Sequence, residues 1–294
     1  MPDDHPDLAP VRRLDPAHLV ALVNDHTGAR LTLLGPAPGG EVGAAFVRWP
    51  DGRDGVLTMG PAGRADELRT TAEILAAARA RGLPVPAYDL VAEVPDAVAI
   101  VQERLPGSPP ARDDRAVIEA MVELNGRFAG LLADRPDLQP PDLYLRHSGP
   151  GFCLHEPLER YDDRTRGLLS WIREVGAGDD ARMAGEDLVH LDFHAGNVLV
   201  DETGAITGIF DWDGIGRGDR RFDLVTLRFG VASRNGDPDA ARWLDDVIDR
   251  TIEPSTLRVY WASMSLRMVD WMIRHYSAAE VDAMIDFART RIDD

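Results

Sequence analysis

Residues 190–213 read HLDFHAGNVLVDETGAITGIFDWD, a stretch whose acids, amide and histidines are spaced so that they could do chemistry together. Asp192 is an acid spaced to act as a base. Asn197 follows five residues later, and Asp211 closes the stretch beyond two β-rich runs, VLV (198–200) and AITGIF (205–210), separated by the turn residues DETG. If the runs pair antiparallel about a turn centred near Gly204, Asn197 and Asp211 fall at the same end of the ladder. Their two side-chain oxygens are then placed to share one hard cation, with Asp192 just upstream.

Two other readings of the same residues stand beside this one. His190, Asp192 and His194 form a His-x-Asp-x-His set of the kind that binds zinc or iron, although that leaves Asn197 and Asp211 without a role. Asp192 or Asn197 taken alone also reads as an ordinary turn residue.

Protein kinases carry a similar device, H-R-D-x-x-x-x-N followed by a second metal-binding Asp. The string HLDFHAGN followed by FDW (210–212) resembles more closely the aminoglycoside phosphotransferase family, whose pattern is H-G-D-x-H-x-x-N and then I-D-W. GDRRFDL (218–224) resembles the same family's downstream G-D-x-x-x-D-L. The likeness is specific over 190–224 and extends weakly over about 30–275. It implies a small-molecule kinase using ATP, or GTP, with Mg2+. Asp192 would be the base, His190 a brace of the loop, and Asn197 and Asp211 the metal ligands. Asp219 and Asp223 would support the loop.

The resemblance also assigns a nucleotide site. Gly39 and Gly40, in GPAPGGEVG (35–43), lie where a turn would cover the phosphates, and Gln102, Glu103 and Arg104 resemble the hinge that meets the purine. The family places a lysine on the third strand, paired with a helix glutamate. Glu73 matches the glutamate, but Thr58 stands at the lysine position. The chain contains no lysine at all, and its 32 basic residues are all arginine. Arg48 or Arg64 is the expected substitute, presenting a planar fork to phosphate.

The formal net charge of −18 opposes binding to a nucleic-acid backbone and favours a cationic acceptor, such as an aminoglycoside or a basic cyclic peptide. Candidate acceptor contacts are Asp213, Glu156, Glu159, Asp162 and Asp163, with aromatic faces from Trp271 and Tyr276. A neutral metabolite alcohol, in the manner of choline or homoserine kinases, is the alternative acceptor. A nucleotide-binding pseudokinase is the alternative function, motivated by Thr58. The single cysteine, Cys153, excludes an internal disulfide and reads as a small apolar residue. No run is apolar and long enough to span a bilayer, and the first residues carry no apolar signal core, so a soluble cytoplasmic protein with no membrane partner is expected.

Residues 1–16 read as a flexible leader, 17–105 as a nucleotide-binding lobe and 106–294 as a catalytic and substrate-binding lobe. The first lobe opens on a helix at 17–27, followed by strands at 29–34, 43–49 and 55–59. A strong helix at 65–82 stops at Gly82, and a strand runs over 96–105. The remainder is mostly helical, with amphipathic segments at 116–135 and 166–175 and further helices from 220 to the end. The fold expected is α+β and bilobal, like a protein kinase: a small antiparallel lobe with one long helix, then a larger helical lobe.

Overall fold

The computed structural model describes residues 15–37, 43–178, 182–212, 214–234 and 236–292. They fall into two compact units, one built from 15–108 with 198–212 and the other from 109–197 with 214–292. The first is an antiparallel sheet with helices on both faces, and the second is mainly helical, as an α+β kinase-like fold requires.

In the sheet unit, α1 (Pro16–Thr27) begins at Asp15, whose side chain accepts the Ala17 N–H, and ends at Gly28 with φ 69°. Then come β1 (Thr32–Ala37), β2 (Ala44–Arg48), β3 (Asp54–Pro61), α2 (Ala65–Ala80), β4 (Tyr88–Val94) and β5 (Ala97–Glu103), in sheet order β1-β2-β3-β5-β4. Alternation along the strands sorts side chains to two faces. Ala45, Val47, Leu57, Ala99 and Val101 pack with Leu19, Val20 and Val23 of α1. Val98 and Ile100 pack with Ala65 and Leu68 of α2. Thr58 is paired across from Ile100, so it belongs to the α2 face.

Two expectations are corrected here. The first strand begins at Thr32, not at 29, because Arg30 takes φ 54° and the Leu31 N–H is held by the Asn24 side chain at 2.6 Å. A strand at 88–94 was not expected; it pairs with β5 along its length.

In the helical unit α3 (Arg115–Gly126) is capped by Asp114, and α4 (Glu156–Tyr161) leads directly to α5 (Asp163–Gly176), which opens with a capping box between Asp162 and Thr165. The expected single helix over 116–135 ends at Gly126. Gly130 then turns with φ 61°, and its N–H is captured by the Asp187 carboxylate at 2.7 Å. β6 (Asp187–Val189) follows. Next in the chain are the hairpin strands β7 (Val198–Val200) and β8 (Ile206–Ile209) of the sheet unit, then β9 (Gly216–Gly218), which returns to pair with β6. Four helices complete the unit: α6 (Phe222–Ser233), α7 (Pro238–Thr251), α8 (Pro254–His275) and α9 (Ala278–Ala288). Phe229, Trp261 and Phe287 form an aromatic cluster with centroids 4.7–5.2 Å apart, pinning α6, α8 and α9 together.

The β7–β8 hairpin is tied into its own unit by four bonds. Ser108 and Val200 exchange backbone hydrogen bonds, Thr207 Oγ1 donates to the Pro106 carbonyl, and the Ile209 N–H donates to the Pro84 carbonyl. Among the described residues no helix is long and apolar enough to cross a membrane.

Candidate active site

β6 delivers the chain into the loop at His190, and a buried carboxylate receives it. Asp223, in the first turn of α6, accepts the N–H groups of His190 and Leu191, each at 2.9 Å. Leu191 takes φ 67°, a left-handed backbone that costs a leucine roughly 1–2 kcal/mol. The turn throws Asp192 outward while its N–H donates to His190 Nδ1 at 3.2 Å. His190 is itself fully buried, with its ring 6.1 Å from that of Phe193.

Asp192 is held on both oxygens. Arg267 Nη2, from α8, donates to Oδ1 at 3.0 Å, and Arg267 Nη1 donates to the Leu191 carbonyl. Asn197 Nδ2 donates to Oδ2 at 3.0 Å and to the Asp192 carbonyl at 2.9 Å. His194 Nε2 lies 3.5 Å from Oδ2 and its Nδ1 accepts the Gly196 N–H, so Nε2 is the ring nitrogen that faces Asp192. The close approach of His194 needs a glycine at 230 in α6, where a Cβ would stand 2.7 Å from the His194 Cβ. Burial alone would push the Asp192 carboxyl up. The charge of Arg267, with His194 and His190, overcomes it and holds the group well below the usual carboxylate range.

Asp223 is shifted the other way. Burial raises its carboxyl to about 7, against the two backbone N–H bonds that favour the charged form, and the charges of Asp192 and Asp219 add to the rise. Asp219 is buried as well, accepting from Tyr260 Oη at 2.9 Å and from Arg221 Nε at 2.8 Å. Both acids of GDRRFDL are therefore occupied in holding backbone and helix.

The two protons of the Asn197 amide go to Asp192, so Oδ1 is the atom that could serve a cation. Asp211 follows β8 by two residues, with φ 67°. The hairpin pairs Val198 with Ile209 and Leu199 with Gly208, so its centre lies between Thr203 and Gly204, half a residue from the expected position. An amide oxygen and a carboxylate are hard donors that fit Mg2+. Among the described residues no three His, Cys, Asp or Glu side chains are grouped to hold a metal ion; His190 and His194 each turn Nδ1 to a backbone N–H of the loop instead.

The nucleotide candidates are distributed over the sheet unit. Thr58 on β3 shares its sheet face with α2, the helix that carries Glu73. Both proposed substitutes for the lysine have carboxylate partners: Arg48 Nε lies 2.7 Å from Asp54, and Arg64 Nε lies 2.7 Å from Glu67. At the hinge, Gln102 is paired in the sheet between Val56 and Tyr88. The N–H of Glu103 donates to the Ala87 carbonyl and that of Arg104 to the Asp54 carbonyl, while Arg104 stacks 4.0 Å over Phe46. Glu103 also pairs with Arg79 at 2.6 Å. Gly39 and Gly40 lie outside the described residues, as does Asp213.

Of the acceptor candidates, the acids of α4 and α5 each face an arginine. Glu156 pairs with Arg160 and Glu159 with Arg173, both at 2.5 Å, Asp162 pairs with Arg164 at 2.9 Å, and Asp163 pairs with Arg166. Trp271 and Tyr276 stand together, rings 4.8 Å apart, and Trp271 lies one helical turn beyond Arg267 on α8. Arg267 itself was not among the expected site residues. Its only sequence signal is that turn of separation from Trp271, since nothing local ties position 267 to Asp192.

The site has relatives of known fold. The amicoumacin kinase hAmiN, solved with AMP-PNP and Ca2+, superposes with a TM-score of 0.61 at 16% identity, covering 97% of this chain and 91% of that one. Aminoglycoside phosphotransferase APH(4)-Ia, as a thermostable mutant with AMP-PNP and hygromycin B, gives 0.63 at 17% identity over 93% and 95%. APH(3'')-Id from Streptomyces rimosus, with ADP and streptomycin, gives 0.56 at 16% over 86% and 99%. At these identities the likeness is one of fold. No curated protein sequence matches the chain. The model of the APH phosphotransferase enzyme family matches residues 35–263, so the chain, a small-molecule phosphotransferase by that membership, belongs to this family.

Proposed function

We propose that the protein transfers the γ-phosphoryl group of ATP to a hydroxyl of a cationic small molecule, in the manner of a kinase that inactivates a basic antibiotic. The observation that carries the reading is the Asp192–Asn197 pair. One amide orients the base through its carbonyl and its carboxylate and still presents an oxygen for a cation.

Asp192 accepts the proton of the acceptor hydroxyl as the phosphoryl group moves, and the low pKa of its carboxyl keeps it ionised across the physiological range. Asn197 and Asp211 are the protein ligands for Mg2+, which would neutralise charge on the phosphates. His190 and Asp223 fix the turn from which Asp192 projects. Thr58 and Glu73 would face the phosphates from the α2 side of the sheet, and Gln102 to Arg104 would meet the purine; Gly39 and Gly40 keep the phosphate-covering role that the family resemblance gives them.

Cationic acceptors are supported by the net charge of −18 and by the aminoglycosides bound to relatives of the same fold. Glu156, Glu159, Asp162 and Asp163 already have arginine partners, and the reading assigns the acceptor's direct contacts to Trp271, Tyr276 and Asp213. The test is ADP release from Mg·ATP against aminoglycosides, basic cyclic peptides, choline and homoserine, with Asp192→Asn as control. Turnover on a basic antibiotic, lost in the variant, is the expected result. Turnover confined to a neutral alcohol overturns the acceptor class. Absence of turnover throughout, while ATP still raises Tm, points to a nucleotide-binding module in place of an enzyme.

A further inference from the structure

Arg267 makes a pair of contacts that position a base. Its guanidinium bridges the carbonyl of Leu191 and the carboxylate of Asp192, two consecutive residues of the loop. Leu191 is the residue with left-handed backbone, and its N–H is already taken by Asp223. The strained turn is therefore gripped at both peptide groups, by an acid on one side and a cation on the other. Strain of this kind persists only where surrounding structure over-determines it.

The helix behind the arginine is firmly seated. Leu266, Val269 and Asp270 beside it on α8 are completely buried. Tyr260, two turns earlier, bonds Asp219, and Asp270, three residues later, accepts the Leu154 N–H at 2.8 Å. Arg267 thus projects from a helix anchored on either side of it, with a side chain 29% exposed. A planar fork reaches two acceptors in fixed geometry, whereas an ammonium on a flexible stem does not.

We infer that Arg267 is the positioning residue of the catalytic base: its guanidinium fixes the Leu191–Asp192 turn, so that one carboxylate oxygen is clamped and the group presents a single orientation to the acceptor hydroxyl. The inference rests on the kinase reading proposed above. Asn197 holds the other oxygen, so orientation is fixed from two elements of the same unit, the 3-10 turn at 195–197 and α8. Misplacing a reacting group by about 1 Å costs on the order of 100-fold in rate, which sets the scale of the effect.

The test is steady-state kinetics of Arg267→Met and Arg267→Lys beside wild type, each also placed in an Asp192→Asn background, with Tm and ATP-induced Tm shift recorded for all. Arg267→Met is expected to lower kcat by on the order of 100-fold with the KM for ATP little changed. Arg267→Lys recovers only part of the loss, and added guanidinium ion restores part of it in Arg267→Met. In the Asp192→Asn background the same substitution costs nothing further, because the partner through which it acts is gone. Wild-type kcat in Arg267→Met, or an undiminished loss in the Asp192→Asn background, overturns the inference. If Arg267→Met does not fold, Arg267→Lys decides: kcat equal to wild type shows that the fork is not needed and overturns it. Absence of turnover by wild type on every acceptor defeats the kinase reading instead, so the two failures are distinct.

Discussion

Asp223 accepts the Leu191 N–H at 2.9 Å and so holds a leucine in a backbone region that leucines avoid. The acid lies at the start of α6 and the leucine just past β6, more than 30 residues away in sequence. Their bond sets the direction in which the next residue, Asp192, leaves the fold. The carboxylate proposed as the base is thereby tied to the helical core, since α6 is buried along most of its length.

Asp223→Asn is expected to destabilise the protein by about 1–3 kcal/mol, because an amide offers one acceptor oxygen where two N–H donors must be met. The pH dependence has a definite sign. With its pKa raised from 3.8 to about 7, the folded protein carries a proton on Asp223 that the unfolded chain has lost over that window. Its contribution to stability is full below about pH 4 and declines as pH rises towards 7. The Tm difference between wild type and Asp223→Asn should therefore shrink across this range in a thermal scan. A difference that grows with pH means that Asp223 is charged in the folded state.

The motif residues were legible because their bonds are local. Asp192, Asn197 and the hairpin that follows sit within some 20 residues, and the turn residues of DETG mark the hairpin without help from tertiary structure. The strong period of 65–80 likewise announced α2. Strand β4 escaped because YDLVAEV follows a proline-rich stretch and its edge position leaves most of its residues half exposed, weakening the alternation. The break after Gly126 escaped because the amphipathic pattern runs on past it, and the capture of Gly130 by Asp187 is a contact across 57 residues. Arg267 escaped for the same reason, being 75 residues from Asp192. The acids of 156–163 were visible as charges, but their arginine partners at 160, 164, 166 and 173 become partners only once the helices form.

Restoring the lysine should strengthen nucleotide binding. Thr58 lies on the face covered by α2, the helix of Glu73, so Thr58→Lys would add a charge-assisted contact to phosphate of about 1.5–3 kcal/mol. Isothermal titration with Mg·ATP is expected to show binding tightened by at least about tenfold. Unchanged affinity would mean that another cation already serves the phosphates.

The proposed metal ligands and the proposed base are expected to give different kinetic signatures. Outer-shell partners of a bound metal typically cost 10–100-fold in affinity when removed, and a direct ligand costs at least about as much. Asp211→Asn and Asn197→Ala are each expected to raise the Mg2+ concentration needed for half-maximal rate. Asp192→Asn should lower the rate by about 10²–10⁴-fold and leave the Mg2+ requirement near that of wild type. Equal Mg2+ dependence in all three variants would take Asn197 and Asp211 out of the metal site.

Acceptor binding divides the surface residues in a way the ion pairs make explicit. Glu159 is paired with Arg173, and both side chains are nearly half exposed, so water already screens the charge. Glu159→Gln is therefore expected to leave the acceptor KM within about twofold, since surface changes of this kind are worth some 0.5 kcal/mol or less. Trp271 and Tyr276 lie tilted against one another at 58°, with Tyr276 40% exposed, as a pair that could meet a sugar ring or a cation. Trp271→Ala should raise the acceptor KM by roughly fivefold, corresponding to about 1 kcal/mol of lost aromatic contact. Long-range attraction by the acidic protein adds a separate signature: the KM of a polycationic acceptor should rise with ionic strength as the field is screened, in wild type and Trp271→Ala alike. A strong effect of Glu159→Gln with none from Trp271→Ala would move the acceptor from the aromatic pair on α8 to the acids of α4.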